Sequence, residues 1–119
     1  MNMNAMLIAD HRAVLRDVGA TPVAVSGAAP VDAWVRDRGV RRLPAEVAEY
    51  ADERARYATV RVEAALLAAP PASGATVSFA GAEWQVRQVQ PMGTAGAPAL
   101  YTLHCVAGEV SRSRTWGRS

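Results

Sequence analysis

A chain of 119 residues, half of them hydrophobic, is long enough for one domain with a single modest core. Its formal charge of +2, from 13 basic residues that are all arginine, is too small for a dedicated nucleic-acid binder, where a basic stripe is expected. The longest apolar run, residues 64–71, is too short to span a bilayer, and the N-terminus lacks the pattern of a signal peptide. The lone Cys105 excludes an internal disulfide.

Residues 4–18 predict a helix. Asn4 can cap it, and Leu7, His11, Val14, Leu15 and Val18 share one stripe, with Gly19 as the stop. Residues 21–26 and 31–37 follow as a hairpin of period two. Val23 and Val25 share a face of the first strand, and Val31, Ala33 and Val35 a face of the second. Trp34 lies on the opposite face from the valines. That strand is therefore either covered on both sides or in contact with another chain through Trp34.

Residues 41–58, "RRLPAEVAEYADERARYA", support two readings. Pro44 suits a first helical turn, and Val47, Tyr50, Ala51, Arg54 and Ala58 recur at helical spacing. The apolar stripe is thin, and Glu49 and Glu53 are like charges one turn apart, so such a helix would be marginal without a partner. The alternative is a long excursion that orders only on docking. Glu46, Glu49, Asp52 and Glu53 make this the acidic part of the chain.

Residues 58–67 alternate as a strand, with Val60, Val62, Ala64 and Leu66 inward and Arg61 and Glu63 outward. After a turn at "AAPPASG" comes a hairpin. Ala75, Val77 and Phe79 face in, Ala80 and Gly81 make the turn, and Trp84 and Val86 point inward on the return. Val89 is three positions on rather than two, which predicts a bulge near Arg87 and Gln88. "PMGTAGAP" reads as a loop and residues 99–106 as the last strand. The fold class is mainly β: a small barrel or sandwich of short antiparallel strands with an N-terminal helix and one long excursion. It occupies residues 1–106, and residues 107–119 form a flexible Arg-rich tail.

No catalytic constellation, cofactor motif or metal site emerges. His104 and Cys105 are adjacent, so a strand sends them to opposite faces, and a packed thiol and a structural histidine account for them. Two histidines and one cysteine leave a metal short of ligands, and the glycine-containing stretches match neither phosphate-loop nor dinucleotide spacing. An enzyme is disfavoured. The tail "SRSRTWGRS" has the composition of a phosphate-contacting arm, against the plainer reading of a frayed terminus.

The order of elements, together with Gly74, Val77, Phe79, Gly81, Trp84, Val86, Val89, Pro91 and Gly93, resembles the head-tail joining (head-completion, or stopper) proteins of lambda-type tailed bacteriophages. Members often carry Asp after the first glycine, where this chain has Ala75. The likeness covers most of the chain in element order and residues 58–106 in sequence pattern. It implies a virion structural protein of a phage or prophage, made in the host cytoplasm and assembled as a ring of copies of itself. Its neighbours would be the portal or head adaptor ring and a tail-side ring, with double-stranded DNA passing through without specific binding, and no membrane. Contacts are expected at Trp34, Arg41, Arg42, Tyr50, Arg54, Tyr57, Arg112, Arg114 and Trp116. Two alternatives stay open. One is another phage connector part such as a tail terminator. The other is a cytoplasmic SH3-like barrel binding nucleic acid weakly through its tail.

Overall fold

A computed structural model describes residues 2–42 and 54–107. One helix, α1 (Met3–Val18), precedes six strands: β1 (Thr21–Val25), β2 (Val31–Arg42), β3 (Arg54–Glu63), β4 (Thr76–Phe79), β5 (Ala82–Thr94) and β6 (Ala97–Ala107). The strands close a barrel in the order β1-β2-β3-β6-β5-β4, with every neighbouring pair antiparallel. Two three-stranded meanders are thus joined by a single crossover, which passes through a 3-10 turn at Ala64–Leu66. Closure is made by the short β1 and β4, so β2 beyond Ala33 and β5 beyond Val86 have a ladder partner on one side only.

The inward faces are those that the alternation predicts. Val23, Val25, Ala33, Val60, Val62, Val77, Phe79, Trp84 and Val86 are buried, joined by Tyr101, Leu103 and Cys105 from β6. Phe79 and Trp84 stack with ring centroids 4.9 Å apart and close one end of the barrel. The β4–β5 hairpin turns at Ala80 and Gly81, both with positive φ (54° and 76°), as a two-residue turn matching the twist of its strands requires. The ladder with β6 slips between Val86 and Gln88, where the spacing of Val86 and Val89 places a bulge.

Several expectations need correction. The helix is capped by Asn2, whose Oδ1 accepts from the Ala5 N–H at 2.7 Å, not by Asn4. Asn4 instead reaches the β5–β6 turn: its Nδ2 donates to Ala97 O at 2.8 Å, and its Oδ1 accepts from the Thr94 N–H at 2.9 Å. Of the helical stripe, His11 is buried and Leu7 and Leu15 half-buried, but Val14 and Val18 are exposed at 39% and 66%; the barrel covers only the narrower face centred on His11. Leu66 is 45% exposed because the chain leaves strand geometry after Glu63. Glu63 does point out of the barrel, yet it is buried, because α1 covers that part of the outer face.

The strands are also longer than read. "PMGTAGAP" is no loop: β5 runs to Thr94 and turns into β6 at Ala97. Pro91 is accommodated because β4 pairs with β5 only from Ala82 to Gln85, so at Pro91 the strand has a ladder partner on one side alone. Within 41–58 the helical reading fails at both ends, since Arg41 and Arg42 belong to β2 and residues 54–58 to β3, paired from Arg42↔Arg54 inward. Tertiary pairing overrides a weak helical periodicity there. Residues 43–53 and the tail, 108–119, lie outside the described residues.

Candidate functional site

The outer face of β2, β3, β6 and β5 carries the side chains that the barrel core does not take. Cross-strand register sets Trp34 opposite Arg61, and Arg36 opposite Thr59. From the other side, Thr102 stands opposite Arg61 and His104 opposite Thr59. Beside the helix this face is covered. Away from the helix it forms an open groove of about 370 Å³, whose walls include Trp34, Arg38, Arg61, Met92 and His104 and, among the described residues, no acidic one.

The groove is built by the local sequence. A register shift between Asp37 and Gly39 swings Arg38 over β3, where its Nε donates to Thr59 Oγ1 at 2.9 Å. The Arg61 guanidinium lies over the Trp34 ring, 5.1 Å from its centroid, a cation–π contact on the groove wall. Its Nε is buried, and the group has no hydrogen-bond or ion-pair partner among the described residues. The far wall is fixed by polar contacts: His104 Nε2–H donates to Gln90 Oε1 at 2.9 Å, and Thr102 Oγ1 donates to Met92 Sδ at 3.1 Å.

Under α1 the chemistry is different. Arg12 grips Glu63 with two parallel bonds, Nε to Oε2 and Nη2 to Oε1, each 2.9 Å. These bonds hold the Glu63 carboxyl below its ordinary range, overcoming the burial that acts to raise it. His11, beside them, is buried with Nε2 unpartnered, and that burial lowers its pKa below the ordinary 6.5 against the pull of Glu63. Cys105 sits in the core on the opposite face from His104, and burial pushes its thiol up to about 12. At neutral pH it is a protonated, packed thiol. Among the described residues no three His, Cys, Asp or Glu side chains are grouped to hold a metal ion. None of the described helices is long and apolar enough to cross a membrane.

A second feature adjoins the groove. The β3–β6 ladder ends at Tyr57↔Val106, yet β2 and β3 stay paired out to Arg42↔Arg54. Residues 40–42 and 54–56 are therefore a two-stranded ribbon projecting past the barrel. At its root, Arg56 pairs with Asp37 (Nη2 to Oδ2, 2.6 Å) and lies 6.0 Å from the Trp84 ring centroid, capping the barrel end. The stretch from Arg36 to Arg42, returning from Arg54 to Arg56, carries six arginines against Asp37.

Of the contacts expected from sequence, Trp34 lines the groove. Arg41, Arg42 and Arg54 fall on the ribbon, where the backbone is described but their side chains are not, and half-buried Tyr57 stands at its root. Tyr50, Arg112, Arg114 and Trp116 lie outside the described residues. Sequence reasoning missed Arg38 and Arg61 as site residues. Arg61 was legible as outward-facing, but its meeting with Trp34 depends on the β2–β3 register, which alternation alone does not set. No family model, no curated protein and no solved structure matches this chain.

Proposed function

We propose that this protein is a virion structural component of a tailed phage or prophage, a connector subunit that assembles as a ring joining or closing the DNA-filled head. The observation that carries the proposal is the division of the chain into a rigid closed barrel and a ribbon that leaves it at the excursion. A closed barrel keeps its shape in a crowded ring, while an arm reaching past the body offers contacts to neighbouring subunits. The pattern from Gly74 to Gly93 that resembles head-tail joining proteins begins in the turn before β4 and runs through β4, β5 and the turn between them, elements that help close the barrel.

The ribbon's arginines suit a surface near a DNA conduit, and the small net charge avoids a grip that would hinder exit. Deleting the gene from an inducible source strain is the test. The proposal expects DNA-filled heads and free tails that do not join, restored by supplying the chain in trans. Normal yields of joined particles from the deletion strain would rule the role out. Duplex DNA binding by the isolated protein, steeply weakened by salt and lost on removing the arginine-bearing segments, would favour the nucleic-acid module instead.

A further inference from the structure

The groove beside Trp34 is unusual in what it leaves unsatisfied. Arg61 is held in place by the Trp34 ring, its Nε is buried, and no carboxylate answers it among the described residues. A cation partly withdrawn from water without a counter-charge is costly, and an arriving carboxylate gains a charge-assisted, geometrically fixed bond there. Arg38 adds a second cation on the same wall. Past Trp34 and Arg61 the surface continues toward α1 as a second depression of about 190 Å³, lined mainly by apolar Leu7, Val14, Met92 and Leu100, with Asp10 its one acid among the described residues. The cleft thus has a basic half and a mostly apolar half.

The chain itself contains a segment of complementary chemistry. Between Arg42 and Arg54 stand Glu46, Glu49, Asp52 and Glu53 with no basic residue, interleaved with Leu43, Val47 and Tyr50. We infer that the groove at Arg61 and Arg38 receives this acidic segment, residues 43–53, from a second copy of the chain. Chain length disfavours the same copy's segment as the partner of Arg61; Arg38, only four positions from Arg42, lies within its reach. Arg61 and Arg54 are seven positions apart on β3, roughly 23 Å at strand rise. Among the acids of a segment tethered at both Arg42 and Arg54, Glu49 stands farthest from an anchor, five positions from Arg54, and can return by only about 18 Å. A contact in which each subunit gives its segment to one neighbour and receives one from the other is heterologous, and such contacts form a ring where the rotation between neighbours closes. The inference rests on the ring reading above, and it names the contact between ring neighbours.

Two variants separate its halves. Arg61→Gln removes the receiving charge. A second protein carrying Glu46→Gln, Glu49→Gln, Asp52→Asn and Glu53→Gln removes the donated ones. Sedimentation equilibrium of the full chain, at concentrations up to the order of 1 mM where weak association registers, reads the result. The wild type is expected to self-associate and to dissociate as salt is raised. Each variant alone is expected to associate about ten- to a hundred-fold more weakly. Mixed together, the two are expected to form pairs and stop there, since one intact contact remains. Arg38→Gln, at the exposed rim, repeats the test should Arg61→Gln fail to fold.

A wild type that stays monomeric, or one whose association ignores both arginine variants, overturns the inference. So does an Arg61-dependent affinity for inorganic phosphate or a short DNA duplex without self-association, which would assign the groove to phosphate. Failure here with the chain still present in particles removes only this contact. Success here with the chain absent from particles removes only the virion role.

Discussion

Gly93 makes a demanding prediction, because it is constrained by its backbone and by its neighbours. Its φ is +121°, and a Cβ placed there would stand 2.9 Å from Ala99 N and collide with the Asn4 carboxamide. That carboxamide ties α1 to the β5–β6 turn through Thr94 and Ala97. Substituting alanine at Gly93 is expected to cost about 1–3 kcal/mol for holding a residue with a Cβ in that conformation. Displacing Asn4 adds roughly 1–2 kcal/mol for its lost hydrogen bonds. A total of about 3 kcal/mol corresponds to a fall in melting temperature of roughly 12–24 °C for a domain of this size.

Urea denaturation of Gly93→Ala, Asn4→Ala and the double variant measures the parts. The double variant should be about 1 kcal/mol more stable than additivity requires, because the Asn4 bonds are lost only once. A Gly93→Ala protein within about 0.5 kcal/mol of wild type, the usual range for an uneventful surface change, would refute the argument. Strict additivity would refute the part played by Asn4.

Three further outcomes follow from buried groups. His11 is held neutral by burial, so its folded-state pKa is the lower one and the unfolded chain binds the extra proton first. Stability should therefore fall as pH drops through the ordinary value of 6.5, and His11→Leu should flatten that part of the profile, measured by urea midpoints against pH. Glu63 is held ionised, chiefly by the Arg12 hydrogen bonds, so its contribution is full above the ordinary 4.5 and is lost as pH falls below it. Arg12→Met should lower the melting temperature at pH 7 and weaken that acid-side dependence; an unchanged profile would mean that the pair does not act in solution. Cys105, with its thiol pushed up to about 12 and buried, should resist alkylation at pH 8 in the native protein and react rapidly in urea. Equal rates in both would contradict its place in the core.

Much of the barrel was legible because inward residues of short amphipathic strands alternate. Val60 with Val62, Val77 with Phe79, and Trp84 with Val86 each give the face away, and the three-residue step from Val86 to Val89 gives away the bulge. What alternation cannot carry is register and length. The extension of β2 and β3 to Arg42 and Arg54 was hidden by a helical periodicity that pairing between distant segments overrides. The strand ends at Met92, Gly93 and Thr94 were hidden by turn-forming residues that a one-sided ladder tolerates. Burial of Glu63 was hidden because nothing local tells an outward residue that a helix from elsewhere in the chain covers it. The site followed the same division. Trp34 stood out as an aromatic on the wrong face, while Arg61 and Arg38 became site residues only once register set them beside it.

The virion role is tested most directly by mass spectrometry of density-purified particles released from the source culture by a DNA-damaging inducer. The account predicts this chain among the particle proteins, at a small fixed ratio to the major capsid protein. Intact tailed particles that lack it would contradict the account.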